Sequence, residues 1–264
     1  MKIGFAGCGN MATAMIKGIL DIGIVGADSV FATSATEETR KRKRKELGIE
    51  FCNSNSELAD ICDMVFLAVK PDLYEEVIRE IKDVLTEEKV LVSMTPGKTL
   101  SWLLEKAGEK TKVIRIMPNT PAMVGEAMTS VTPGKNVKEE DLEKVIAVLN
   151  SFGKTAVVKE SLIDAVIAVS GSSPAYVFMI IEAMADAAVM EGLPRKDAYT
   201  FAAQALLGSA KMVLDLGMHP GELKDMVCSP GGTTIEAVAK LEEKGLRSAI
   251  IEGMRACTKK SENM

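Results

Sequence analysis

Between residues 3 and 117 the chain alternates short apolar runs with helix-like segments. The runs are Ile3–Ala6, Ser29–Thr33, Glu50–Asn53, Asp63–Val69, Val90–Ser93 and Lys112–Ile116. Helical segments between them include Met11–Leu20, Asp72–Leu85 and Leu100–Lys106. Several of these runs are apolar nearly throughout rather than at every second residue, as expected of strands covered on both faces. Strand-helix alternation of this kind builds a doubly wound, mainly parallel α/β sheet, with ligands at the carboxyl ends of its strands. The strand-end sequences Lys70-Pro71, Thr95-Pro96-Gly97 and Met117-Pro118-Asn119-Thr120-Pro121 are therefore candidate cofactor contacts, and equally they fit ordinary turn chemistry.

The first of these turns is Gly7-Cys8-Gly9-Asn10-Met11-Ala12. Gly7 permits a tight turn, Gly9 leaves room for a phosphate near the backbone, and Ala12 lets the following helix pack close to its strand. The free N–H groups and dipole at that helix start favour a pyrophosphate. At the end of the second strand a dinucleotide fold that prefers NAD carries a carboxylate for the ribose 2′-OH. Here Thr33-Ser34-Ala35-Thr36 stands there, Glu37 and Glu38 come late, and Arg40–Lys45 is wholly basic. Ser34 and Thr36 with nearby cations favour NADP(H) over NAD(H). Most of the basic run reads as a solvated helix face.

The 264 residues allow one large or two modest domains, and a net charge of -5 argues against nucleic acid or an anionic membrane as main partner. No uninterrupted apolar run reaches membrane-spanning length; Ala175–Met190 is broken by Glu182 and Asp186. Cys8, Cys52, Cys62, Cys228 and Cys257 form no C-x-x-C pair, which predicts a reducing, cytoplasmic setting and no cysteine-held zinc. With one histidine, His219, no multi-histidine metal site exists, and its His-Pro-Gly context predicts a turn that stops a helix.

Ala127–Thr132 and Thr155–Lys159 read as edge strands around a helix, Glu139–Ser151. Past residue 158 strand signals stop, which puts a boundary between a dinucleotide-binding domain, 1–158, and a helical domain, 159–264. The expected helices are Leu162–Val169, Pro174–Glu191, Arg195–Leu216, Leu223–Val227 and one long Thr234–Lys259. Their Ala, Met, Leu and Val content suits packing on a second copy. Ser170-Gly171-Ser172-Ser173-Pro174 reads as a capped helix start. Ser229-Pro230-Gly231-Gly232-Thr233-Thr234 reads either as a capped helix or as a small carboxylate site, with Ser229, Gly231, Gly232, Thr233 and Thr234 at its mouth.

These motifs together resemble pyrroline-5-carboxylate reductases. The resemblance runs nearly end to end. It rests on Gly4–Met11, Ala68–Pro71, Asn119–Pro121, Asp164–Val166, Ser170–Ser172, Pro174–Tyr176, Gly192–Pro194, His219–Asp225 and Ser229–Thr234. It implies reduction of 1-pyrroline-5-carboxylate to L-proline, a Rossmann domain, and a helical domain that interlocks with a partner subunit. It implies cofactor contacts at Ala6, Gly7, Cys8, Gly9, Asn10, Met11, Ser34, Thr36, Asn55, Ala68, Val69, Lys70, Pro71, Met94, Thr95 and Pro96. Glu160, Thr233 and Thr234 fall at the implied substrate pocket, with Thr234 bonding the imine nitrogen. NADPH is the expected cofactor and NADH the alternative. The family usually has small residues near Thr95-Pro96, and Pro96 removes a backbone donor. Another NADP-linked reductase and a non-catalytic dinucleotide sensor are the rival readings. Reductases of the first kind usually use a lysine acid, and none lies between Asp164 and Glu191. The sensor needs no carboxylate loop.

Overall fold

The computed structural model describes residues 1–263. By internal packing these divide into two compact units, Met1–Gly171 with the C-terminal residues from Thr258, and Ser172–Cys257.

In the first unit the strands are β1 (Ile3–Ala6), β2 (Val30–Ala32), β3 (Glu50–Phe51), β4 (Met64–Leu67), β5 (Val90–Ser93), β6 (Lys112–Met117), β7 (Ala127–Pro133) and β8 (Gly153–Val157). They form one sheet in the order β3-β2-β1-β4-β5-β6-β7-β8. All neighbours are parallel except β6 and β7, which pair antiparallel. The chain direction across the sheet reverses between β1 and β4, and that switch point is where such sheets bind ligands.

The helices of this unit are α1 (Asn10–Ile22), α2 (Glu37–Leu47), α3 (Asn55–Ile61), α4 (Tyr74–Ile81), α5 (Leu100–Ala107), α6 (Glu139–Leu149) and α7 (Ile163–Val166). Alternate strand residues feed two separate cores. Phe5, Phe66, Val92 and Ile116 meet Met15, Ile16 and Ile19 of α1 and Val145 and Val148 of α6. Val65, Leu67, Leu91 and Val113 meet Leu58 of α3, Val77, Ile78 and Ile81 of α4, and Leu103 and Leu104 of α5. Double coverage explains why the strands read as unbroken apolar runs. Phe5 and Phe66 stack at 4.8 Å between centroids across the β1–β4 pair.

The packing division falls at Gly171, later than the composition change near 158. Residues 160–171 are fastened to the sheet unit by polar contacts that composition does not show. Glu160 accepts from Arg115 of β6, Asn119 donates to the Ser170 carbonyl, and Ser261 donates to Asp164.

The second unit contains α8 (Ser173–Met190), α9 (Arg195–Leu216), α10 (Pro220–Val227), α11 (Thr233–Glu243) and most of α12 (Leu246–Ser261). Three local expectations fail here. The single helix expected over Thr234–Lys259 is two helices, because Gly245 takes a left-handed φ of 75° and ends the first. The Ser cap expected before Pro174 makes no bond: Ser172 is the N-cap of α8 and Pro174 lies in its first turn, but a π-helical turn, Ile167–Gly171, leads into it and the Ser172 hydroxyl caps nothing. His219 starts a helix rather than stopping one, since its Nδ1 accepts from Gly221 N–H at 3.0 Å and caps α10.

One helical stretch, Glu160–Met190, is long and apolar enough to cross a membrane by length and composition, although no uninterrupted apolar run in it reaches that length. Helical turns continue upstream of Ala175, which lengthens the apolar window beyond the run that Glu182 and Asp186 interrupt. Only 11% of that window is buried within this chain.

Candidate active site

The glycine turn after β1 is built by close approach. Gly7 has φ 97°, and a Cβ there would lie 2.7 Å from the Ala68 carbonyl oxygen at the end of β4. Gly9 is the N-cap of α1, with no side chain capping the helix and open space where a Cβ would stand. No acidic residue occupies the first turn. The first-turn N–H groups of a 13-residue helix therefore face an opening, and a phosphate-sized anion fits it chemically. Cys8 is buried, and desolvation pushes its thiol pKa up, so it is a packing residue of this turn rather than a nucleophile.

A cleft of about 450 Å³ adjoins the turn, and Gly7, Ser34, Asn55 and Val69 line it together with Thr33, Asn53, Glu76 and Glu80. A relay of hydrogen bonds holds its floor. Thr33 Oγ1 accepts from Gly7 N–H at 3.0 Å and donates to Asn55 Oδ1 at 2.7 Å. Asn55 Nδ2 in turn donates to Glu80 Oε2 at 2.7 Å. Asn55 is thus oriented from both ends of its amide. Thr33 and Glu80 are absent from the residues expected from the sequence, and only the position of Thr33 at a strand end gave a signal for them.

The two hydroxyls expected to act together are used differently. Ser34 lines the cleft, and its hydroxyl donates to the Thr36 carbonyl at 3.3 Å. Thr36 is the N-cap of α2: its Oγ1 accepts from Thr39 N–H and donates to Thr39 Oγ1. Of the basic run, Arg40 and Lys43 are largely covered. Arg40 Nη1 donates to Asn53 Oδ1 on the cleft wall at 3.2 Å, and its buried Nε has no partner among the described residues. Lys43 pairs with Glu46 at 2.8 Å. Hydrogen bonds from Lys17 and Lys43 hold the Glu46 carboxyl down to about 2.

The strand-end turns after β4 and β5 carry Ala68–Pro71 and Met94–Pro96. Tyr74, the first residue of α4, is fully buried beneath them. Burial pushes its phenol up to about 12, so it remains a protonated donor. Thr95 is buried, and its hydroxyl has no partner among the described residues.

Glu160 joins three elements of the first unit. Its Oε1 accepts from Arg115 Nη1 at 2.5 Å and from Leu100 N–H at the start of α5 at 2.7 Å. Arg115 is almost wholly buried on an inner strand, so the pair neutralises a guanidinium within the fold. Arg115 escaped the sequence reading because it sits in an apolar strand with no local partner.

Residues 160–264 match the family model described as pyrroline-5-carboxylate reductase dimerisation, and residues 2–97 match that described as NADP oxidoreductase coenzyme F420-dependent. The chain is 51% identical to the pyrroline-5-carboxylate reductase of Escherichia coli over 263 residues, covering 100% of this chain and 98% of the relative. The chain belongs to the pyrroline-5-carboxylate reductase family. A crystal structure of Plasmodium falciparum pyrroline carboxylate reductase with NADP bound is similar at TM-score 0.90 and 33% identity, covering 100% of this chain and 97% of that one. The pyrroline-5-carboxylate reductase of Coxiella burnetii is similar at TM-score 0.93 and 30% identity, over 99% of this chain and 97% of that one.

Within a pyrroline-5-carboxylate reductase chain, the loop Ser229–Thr234 leads into α11 in the second unit. Gly231 is left-handed at φ 67°, and Gly232 is the N-cap with no side-chain capping bond. A Cβ on Gly232 would lie 2.4 Å from Ser229 Oγ and 3.1 Å from the Ser229 carbonyl oxygen, so a side chain there would push the serine hydroxyl aside. Thr233 and Thr234 are the first two helical residues, and neither hydroxyl serves as the N-cap. Two readings were open for this loop from sequence, a capped helix and a carboxylate site; in the structure glycine stands at the cap position and no side chain bonds there. Glu160 lies in the first unit and Ser229–Thr234 in the second.

The same dimerisation match covers a unit that buries little of its own apolar surface. Of the 18 residues of α8 only Ala185 is buried. Phe178, Met179, Phe201 and Leu214 are exposed. An apolar hollow of about 360 Å³ between α8 and α12 is lined by Tyr176, Met179, Ile180, Leu246, Ala249, Ile250 and Gly253. Self-association through this unit accounts for the exposure.

Proposed function

We propose that this chain reduces 1-pyrroline-5-carboxylate to L-proline. The observation that carries the reading is its identity to a reductase of that name over the full length of both chains. NADPH is the expected cofactor, and when bound it supplies the hydride that the imine carbon accepts.

The chain's own residues do the rest. Gly7, Cys8, Gly9, Asn10 and Met11 hold the pyrophosphate against the N-terminus of α1, with Ala6 beneath them. Ser34 faces the ribose 2′-phosphate, and Arg40 stands one residue away through Asn53. Thr36 acts on the same phosphate only indirectly, by starting α2 there. Asn55, held by Thr33 and Glu80, borders the adenosine ribose. Ala68, Val69, Lys70 and Pro71 and the turn of Met94, Thr95 and Pro96 border the nicotinamide end. The Ser229–Thr234 loop takes the substrate carboxylate on the free N–H groups of α11, and the Thr234 hydroxyl bonds the imine nitrogen. A cyclic imine draws its proton from solution, so the site needs alignment and charge stabilisation more than a dedicated acid. A chain with one histidine, used as a helix cap, satisfies that requirement. Glu160 acts on the substrate side through position, by fixing Arg115 and α5.

The working form is a homodimer or a higher oligomer of it, in the cytoplasm. Neither nucleic acid nor membrane is part of the reading; the apolar surface of Glu160–Met190 is covered by a second copy. Spectrophotometric NADPH oxidation with and without pyrroline-5-carboxylate tests the reaction: substrate-dependent oxidation with proline formed is expected, and oxidation independent of the imine refutes it.

A further inference from the structure

Two turns leave the sheet side by side, one after β4 and one after β5, which pair in register through Leu67 and Ser93. The Tyr74 phenol sits beneath both. It donates to the Leu67 carbonyl at 2.7 Å and accepts from the Met94 N–H at 3.2 Å. Leu67 is the last residue of β4, and Met94 is the first after β5. One buried hydroxyl therefore joins the roots of the Ala68–Pro71 and Met94–Pro96 segments.

The second of these turns has few fastenings of its own. Pro96 carries no N–H, and the buried Thr95 hydroxyl has no partner among the described residues. Gly97 then turns left-handed at φ 76°. Without the phenol, the Met94 N–H would be left without this acceptor in a half-buried setting, and the Leu67 carbonyl would lose a donor.

We propose that Tyr74 is a positioning residue for the nicotinamide end of the cofactor site, setting the relative height of the β4 and β5 turns. The inference rests on the cofactor reading given above. Tyr74 touches neither cofactor nor substrate and acts through the backbone it holds. The adenosine end of the cleft is held independently, by the Thr33, Asn55 and Glu80 relay.

The test compares Tyr74→Phe with the unaltered full-length protein. Dissociation constants are measured for NADPH and for adenosine 2′,5′-bisphosphate, which lacks the nicotinamide. The variant should weaken NADPH by about tenfold, the scale of one buried hydrogen bond, and lower kcat, while bisphosphate binding stays within about twofold. Equal weakening of both ligands, or a lower melting temperature with both constants unchanged, would make Tyr74 merely structural and overturn the proposal. Failure of the unaltered protein to bind either ligand would instead overturn the cofactor reading and this inference with it. Amide hydrogen exchange of the unaltered protein gives a check that does not depend on the variant folding. The Met94 amide should be protected at least about tenfold relative to its intrinsic rate, and free exchange there would also overturn the proposal.

Discussion

Replacing Thr234 with alanine separates chemistry from folding, because the structure gives the two effects opposite signs. Gly232 is the N-cap of α11 and Thr234 is the second helical residue, so its hydroxyl does not cap the helix. The roughly 1 kcal/mol that a lost N-cap would cost does not apply. Alanine has the higher helix propensity, by up to about 0.7 kcal/mol in a helix interior, so the variant should melt at the same temperature or slightly higher. If the hydroxyl bonds the imine nitrogen as charge develops, its loss costs roughly 1.5–3 kcal/mol. That is about a 10- to 150-fold fall in kcat/KM. The affinity for NADPH should stay within about twofold, since Gly7, Ser34 and the rest of the cleft are untouched. Thr234→Ser keeps the oxygen and should retain most of the activity. Steady-state kinetics and thermal melting of both variants provide the assay. A Thr234→Ala enzyme with kcat/KM unchanged would refute the assignment, and a clearly lowered melting temperature would show that the hydroxyl supports the helix after all.

Parallel kinetics with NADPH and NADH should favour NADPH by about tenfold or more in kcat/KM, and Ser34→Ala should narrow the gap; equal use of NADH refutes the reading of Ser34. Sedimentation at micromolar protein should show a dimer or a multiple of it, because α8 and α9 leave Phe178, Met179, Phe201 and Leu214 exposed in one chain and an obligate interface, typically upwards of about 2,000 Å², would cover them; a well-folded monomer refutes it. The Glu46 carboxyl, held down to about 2 by Lys17 and Lys43, contributes stability above its unfolded pKa near ~4.3 and loses it as pH falls toward about 2. Glu46→Gln should therefore flatten the stability profile in that acid window, by less than about 1 kcal/mol because Glu46 itself is exposed to solvent; an unchanged acid profile refutes the coupling.

The sheet was readable in the sequence because its signals are local. The inner strands β1, β4 and β5 are nearly continuous apolar runs followed by turn residues, and Gly7 takes a positive φ of 97° in the first turn. The glycine turn and the α11 loop were readable for the same reason. Residues satisfied at a distance were not. Tyr74 gains its role from partners 7 and 20 positions away, and Arg115 from one 45 positions away. Strand order decides both contacts, and no spacing rule exposes them. Thr36 shows the opposite case: a hydroxyl at a place suited to a phosphate is also placed to cap α2, and in this structure it caps.

The helical unit poses a different problem. Hydrophobic periodicity tells which face of a helix meets a core, but α8 is apolar nearly all round, and such a helix is enclosed on every side in its working state. With only Ala185 of α8 and Ala198 and Ala202 of α9 buried, one copy does not enclose these helices. Their composition specifies contacts that lie outside the chain. That is why helix positions could be read there while the core could not: the residues that complete it belong to a second copy of the same sequence. The same argument says where substitutions should be felt. A polar residue at Phe178 or Met179 leaves nothing unsatisfied within one chain, since both are exposed there, yet it should disrupt assembly.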